Sequence, residues 1–190
     1  MANRLEGKRI ALLATNGVEQ IELTAPLEAA RAEGAVVEIV SSKPGTIRAQ
    51  HSDEKGDAFP VDRTTDQVRV DDYDALVIPG GTKSPDRLRV DAHAVDFVRD
   101  FIDSGKPVAS VCHGPWMLVE ADRLRGRTLT SWPSLRTDIH NAGGSWVDEE
   151  VHVEDGIVTS RKPADLPAFS AKLVEEVAEA RHTRRPVEVR

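Results

Sequence analysis

The chain has 190 residues, 39% hydrophobic and 30% charged, with a formal net charge of −7 at pH 7 and a single cysteine. This composition predicts one soluble globular domain over residues 1–190, with its core at about 8–178. The acidic balance argues against a dedicated nucleic-acid binder, the strand-sized apolar runs against a membrane span, and the lone thiol against an intramolecular disulfide. With no apolar leader near Met1 and a thiol suited to a reducing compartment, the protein is expected in the cytoplasm.

In chain order, Arg9–Ala14 predicts a central strand buried on both faces. A helix is expected to follow from Val18 to about Glu33, stopped by Gly34. Glu22 then lies near the start of that helix, just beyond the C-terminal end of the first strand. Ligand sites of open α/β sheets collect at that edge, although an acidic residue there also suits the helix dipole. Val36–Val40 predicts a second strand, and the polar stretch Thr46–Val70 predicts short antiparallel strands or an inserted hairpin. Asp74–Gly81 predicts a strand ending in a loop where Gly80 and Gly81 permit close backbone approach to a ligand, or simply a tight turn. Ser84-Pro85-Asp86-Arg87 reads as a helix start with a Ser or Thr cap, and the apolar residues from Ala94 to Ile102 give a further helix ending at Ser104-Gly105.

Pro107–Val111 predicts a short buried strand, and Gly114-Pro115 the opening of a helix to about Ala121. Cys112 sits at this strand-to-helix turn, where unpaired N–H groups and the helix dipole favour thiolate over thiol. It is a candidate nucleophile; the alternative is a small buried core residue. His113 can act as its base or charge partner, and the N–H groups of Gly81 and His113 can converge on an oxyanion. Further on, Thr128–Trp132 predicts a strand and 133–141 a short helix stopped by Ala142-Gly143-Gly144. Trp146-Val147, Val151–Val153 and Ile157–Thr159 predict a hairpin around Asp155-Gly156, and Leu173, Val174 and Val177 mark the last helix. The basic tail 181–190 is expected to be a solvated terminus. Strand–helix alternation of this kind predicts a parallel α/β sheet. None of the six histidines has metal-ligand spacing and no phosphate-cradle motif is present, so no metal or other cofactor is expected.

The segments Gly17–Leu23, Ala75–Gly81 and Val111–Pro115 together resemble the ThiJ/PfpI superfamily, relatives of the class I glutamine amidotransferases. Leu129–Ser134, Asn141–Gly144 and Asp165–Phe169 are similar to the PfpI branch and its bacterial general stress proteins. The resemblance implies a flavodoxin-like sandwich, a mostly parallel central sheet flanked by helices, with a small antiparallel hairpin. It implies a strained elbow with positive φ at Cys112, and a protonated Glu22 hydrogen-bonded to the sulfur. In PfpI-type proteases the histidine pairs with a glutamate from a neighbouring subunit; the matching position here is Asp86, one methylene shorter. Trp132, where these proteins often carry tyrosine, is expected to line the pocket. The function implied is cofactor-independent detoxification or repair of reactive carbonyls, glyoxalase III-like or deglycase-like, in a stress-response protein. The alternatives are a PfpI-type intracellular cysteine peptidase and a non-enzymatic redox sensor using Cys112. The implied partners are a small carbonyl or peptide substrate and further copies of the chain, as a dimer or hexamer in which Asp86 completes the neighbouring site. Nucleic acid and membrane are not expected as partners.

Overall fold

The computed structural model describes residues 3–179, so the basic tail 181–190 lies outside the described residues. In chain order the elements are β1 (Arg9–Leu13), α1 (Gln20–Ala32), β2 (Val36–Ser41), β3 (Thr46–His51), β4 (Glu54–Pro60), β5 (Arg63–Thr64), β6 (Ala75–Ile78), α2 (Lys83–Leu88), α3 (Ala92–Ser104) and β7 (Val108–Val111). There follow α4 (Trp116–Glu120), β8 (Thr128–Leu129), α5 (Arg136–Asn141), β9 (Ser145–Trp146), β10 (Val151–Glu154), β11 (Ile157–Ser160) and α6 (Leu166–Glu179).

Seven strands form the central sheet in the order β10-β11-β7-β6-β1-β2-β5, parallel throughout except for β10 against β11. The alternation of side chains along the inner strands divides the apolar residues between two layers. Ile10, Leu12, Ala75, Val77, Ala109 and Val111 face a core shared with α1 and α6. Ala11, Leu13, Leu76, Ile78 and Val108 face the opposite core, with α3, α4 and α5. That double burial is why these strands read as apolar runs, broken only by the buried Ser110 of β7. From β1 the chain winds outward through β2, then returns to β6 on the other side and continues to β7. The carboxyl ends of β1 and β6 therefore flank the point where the winding reverses, the usual place for a ligand crevice.

Helix α3 ends where its sequence predicts, closed by Gly105 at φ +72°, and Asp91 caps its start by accepting from the His93 N–H. The inserted hairpin is β3 against β4, and Asp155-Gly156 turns β10 into β11. Three expectations are corrected. The predicted strand Thr128–Trp132 stops at Leu129, because Thr130 donates its N–H to the Thr159 hydroxyl and Trp132 donates its own to the Cys112 carbonyl, taking both out of any ladder. Trp146 belongs to β9, paired with β8 in a separate parallel ribbon and not with the hairpin. Ser84 caps nothing: helix α2 begins earlier, after Thr82, and the Ser84 hydroxyl accepts the Thr15 N–H at 3.0 Å, tying α2 to the end of β1. Among the described residues no helix is long and apolar enough to cross a membrane.

Candidate active site

Cys112 follows the last residue of β7 and has φ +61°, a left-handed conformation that costs a non-glycine residue about 1–2 kcal/mol. Backbone bonds on both sides impose it. The Cys112 N–H donates to the Ser160 carbonyl at 3.0 Å, its carbonyl accepts from Trp132 N–H at 2.9 Å, and Gly114 N–H closes onto the Val111 carbonyl at 2.9 Å. Only glycine fits at 114, since a Cβ there would collide with Ile78 and Val111 carbonyl oxygens and the Ser110 hydroxyl. The helix beyond the elbow, α4, has just five residues, so its dipole is a weaker influence than the dipole expected of a longer helix.

What surrounds the sulfur is more direct. The backbone N–H groups of Gly81 and His113 both point at it. On its inner side lies the Glu22 carboxyl, in the first turn of α1 and fully buried. Glu22 Oε2 accepts the Gly80 N–H at 2.9 Å, and the Cys112 thiol is the side chain that hydrogen-bonds the carboxyl. Oε1 is sealed from water with no fixed partner. Burial pushes the Glu22 carboxyl up to about 7, against the opposing bonds from Cys112 and Gly80. Burial, followed by the charge of an ionised Glu22, likewise pushes the Cys112 thiol up. Two anions cannot coexist in this pocket, so the pair shares one proton. With the proton on Glu22 the repulsion vanishes and its O–H donates to a thiolate, whose remaining lone pairs meet the two N–H groups.

His113 is also buried, and Nδ1 lies 3.2 Å from the sulfur. Its ring is boxed in by Trp116, edge-on at 5.1 Å, and by Trp132, stacked at 6.1 Å and 25°. Nε2 lies 3.3 Å from the Ser134 hydroxyl. Burial lowers the imidazole pKa and so favours the neutral ring. Trp132, 40% exposed, forms the outer wall.

The glycines are required by space. A Cβ on Gly80 would stand 2.5 Å from Glu22 Oε2 and 2.8 Å from Cys112 Cβ. Gly81 has φ +73°, and a Cβ there would come within 2.6 Å of the Glu19 N and the Gly17 carbonyl oxygen. Cys112, His113, Glu22, Gly80, Gly81 and Trp132 therefore meet in one pocket. Asp86 does not join them: it is exposed on α2, with no hydrogen-bond or ion-pair partner for its carboxylate among the described residues. Ser134 lies in the segment Leu129–Ser134 that carries the resemblance, but a serine beside a proline gives no signal of its own for a place beside His113. Among the described residues no group of three or more His, Cys, Asp or Glu side chains is placed to hold a metal ion.

Comparison with known proteins agrees with this architecture. The DJ-1/PfpI family pattern matches residues 8–176. Protein/nucleic acid deglycase 2 of Escherichia coli is 44% identical over 166 residues, covering 86% of this chain and 94% of that protein. Deglycase PH1704 of Pyrococcus horikoshii is 43% identical over 167 residues, covering 88% and 98%. General stress protein 18 of Bacillus subtilis is 41% identical over 166 residues, covering 86% and 94%. The crystal structure of Drosophila melanogaster DJ-1beta superimposes with a TM-score of 0.81 at 25% identity, covering 94% of this chain and 91% of that one. With residues 8–176 matched by the family pattern and relatives 41% to 44% identical over most of the chain, the chain belongs to the DJ-1/PfpI family.

Proposed function

We propose that the protein is a cysteine-dependent enzyme that detoxifies reactive 1,2-dicarbonyls or repairs their early adducts, with Cys112 as nucleophile. The observation that carries this reading is the buried Glu22 carboxyl, raised to about 7 beside a sulfur that also faces two backbone N–H groups. A proton held there is available to the oxygen of an attacked carbonyl, and the N–H groups stabilise charge as it develops. The deglycase names of its relatives support the same chemistry.

In the proposed sequence the sulfur adds to the aldehyde carbon. The C–S bond forms as the carbonyl π bond breaks, and the oxygen takes the proton shared by Glu22 and Cys112. His113 or the ionised Glu22 then removes the remaining hydrogen from that carbon as a proton. Returned to the neighbouring carbon through an enediol, it leaves an alcohol beside a thioester. Water cleaves the thioester, releasing a 2-hydroxy acid and restoring the thiol. The atoms balance with water alone, and no electrons are gained or lost overall. A carbinolamine adduct joins the path when its amine departs and the aldehyde carbon passes to sulfur.

The test is 2-hydroxy acid production from methylglyoxal, with release of free amine from a methylglyoxal–arginine adduct measured alongside. Wild-type turnover that disappears in Cys112→Ala is expected. Turnover retained by that variant overturns the proposal.

A further inference from the structure

A base that works on a nucleophile needs a third group to orient it, and within one copy of the chain the side chain in reach of His113 Nε2 is Ser134. We infer that Ser134 is the positioning residue for His113, its hydroxyl holding Nε2 at 3.3 Å and so orienting the ring through proton transfer at Cys112. The inference rests on the proposed carbonyl chemistry of this site.

The support is geometric. Ser134 lies in a single turn of 3₁₀ helix, Pro133–Leu135, that is tethered at both ends. Before it, Trp132 donates its N–H to the Cys112 carbonyl and stacks on the imidazole; after it, Leu135 is fully buried. The turn thus moves with the elbow it serves. A hydroxyl both donates and accepts, whereas a carboxylate only accepts. When Nδ1 carries the hydrogen towards sulfur, Ser134 Oγ–H donates to Nε2. When Nδ1 accepts from sulfur, Nε2–H donates to Oγ. One rotating hydroxyl therefore supports both tautomers of a neutral ring. The groups facing that ring are Cys112 from the elbow, backed by Glu22 from α1. On its Trp116 side, Arg89 lies 5.7 Å over the indole ring and Asp138 of α5 accepts the indole N–H. Burial favours the neutral form of the ring.

The experiment uses the full chain and three variants, Ser134→Ala, Ser134→Thr and Ser134→Asp. It reads methylglyoxal kinetics, the pH profile of Cys112 alkylation, and the His113 titration by NMR, with His113→Gln identifying the resonance. Ser134→Ala is expected to lower kcat about 3- to 10-fold, the worth of one neutral hydrogen bond, with KM within about twofold and an altered His113 titration. Ser134→Thr restores both. Ser134→Asp raises the His113 midpoint by about one pH unit or more and shifts half-maximal alkylation of Cys112 to lower pH, because a carboxylate favours imidazolium and imidazolium favours thiolate. Unchanged His113 titration and alkylation profiles in Ser134→Ala and Ser134→Asp overturn the inference, whatever happens to kcat. If the wild type turns over no dicarbonyl but the titrations move as described, the functional proposal fails and the positioning role stands. Normal turnover with unmoved titrations leaves the function and removes the role.

Discussion

The elbow and helix α2 are neighbours at the carboxyl edge of the sheet, yet they treat their acidic groups in opposite ways. The elbow brings Cys112 against a carboxyl from α1 that is wholly buried, and closes the space with Gly80, which leaves no room for a methyl group. Helix α2 is fixed just as firmly, through Ser84 on Thr15, but it turns Asp86 outward with nothing to pair with among the described residues. The first arrangement holds a donor, an acceptor and a nucleophile within one copy of the chain. The second offers a charge that acts only if something docks on it, and a second copy of this chain is the partner we propose. Chemistry of the elbow should therefore be insensitive to α2, and each prediction below tries to break that separation.

The largest effect is expected at Cys112. Its replacement by alanine should lower dicarbonyl turnover by at least about 10³-fold, because it removes the sulfur that attacks the carbonyl. Glu22→Gln keeps the shape but removes the exchangeable carboxyl proton, and should lower kcat about 10²-fold. The same variant has a signature in stability. The folded Glu22 carboxyl is raised to about 7, above its unfolded value of about 4.3, so its contribution is complete below pH ~4 and is lost as pH rises through 7. Urea unfolding of the wild type should show this loss, on the order of 3 kcal/mol, between pH 4 and 8, and Glu22→Gln should lack it. Gly80→Ala should cost about 1–3 kcal/mol in the same assay by driving a methyl between Glu22 and Cys112. The smallest effect is expected at Asp86. Asp86→Asn should leave dicarbonyl turnover within about twofold and stability within about 0.5 kcal/mol. Loss of hydrolysis of a small fluorogenic peptide in that variant alone would join the two regions after all, by contact between copies.

These two regions also differ in how far they can be read from sequence. The inner strands are legible because both faces of each are buried, so Ile10–Leu13 and Leu76–Ile78 run apolar without alternation, and Val108–Val111 is interrupted only by the buried Ser110. Strand β5 is two residues long and β4 is largely exposed; neither carries a periodicity to detect. Thr128–Trp132 has the composition of a strand, but the Thr159 hydroxyl and the Cys112 carbonyl claim its N–H groups, and such long-range competitors leave no local trace. The pocket residues Cys112, His113, Glu22, Gly80, Gly81 and Trp132 come from the family resemblance together with their positions at strand ends. The residues around Glu22 leave its environment open, since an acidic residue at a helix start is ordinary; the resemblance implies its bond to the sulfur, and the fold shows it sealed from water. Ser134 carries no local trace for the same reason as the end of Thr128–Trp132, since its place depends on a turn brought across the sheet edge by one backbone bond.

The wide separation of the pocket's parts along the chain has a consequence for biogenesis. Glu22 and Gly80 are 58 residues apart, and Gly80 reaches Cys112 only when β6 and β7 pair. Parallel pairings of this kind form slowly, because long loops must close before any contact stabilises them. Until they do, a chain leaving the ribosome carries a plain thiol with a pKa of about 8.5 and no acid or oxyanion donors around it. The catalytic arrangement is complete only with the sheet, so a truncated or misassembled copy keeps an ordinary thiol without the acid and N–H donors that its chemistry needs.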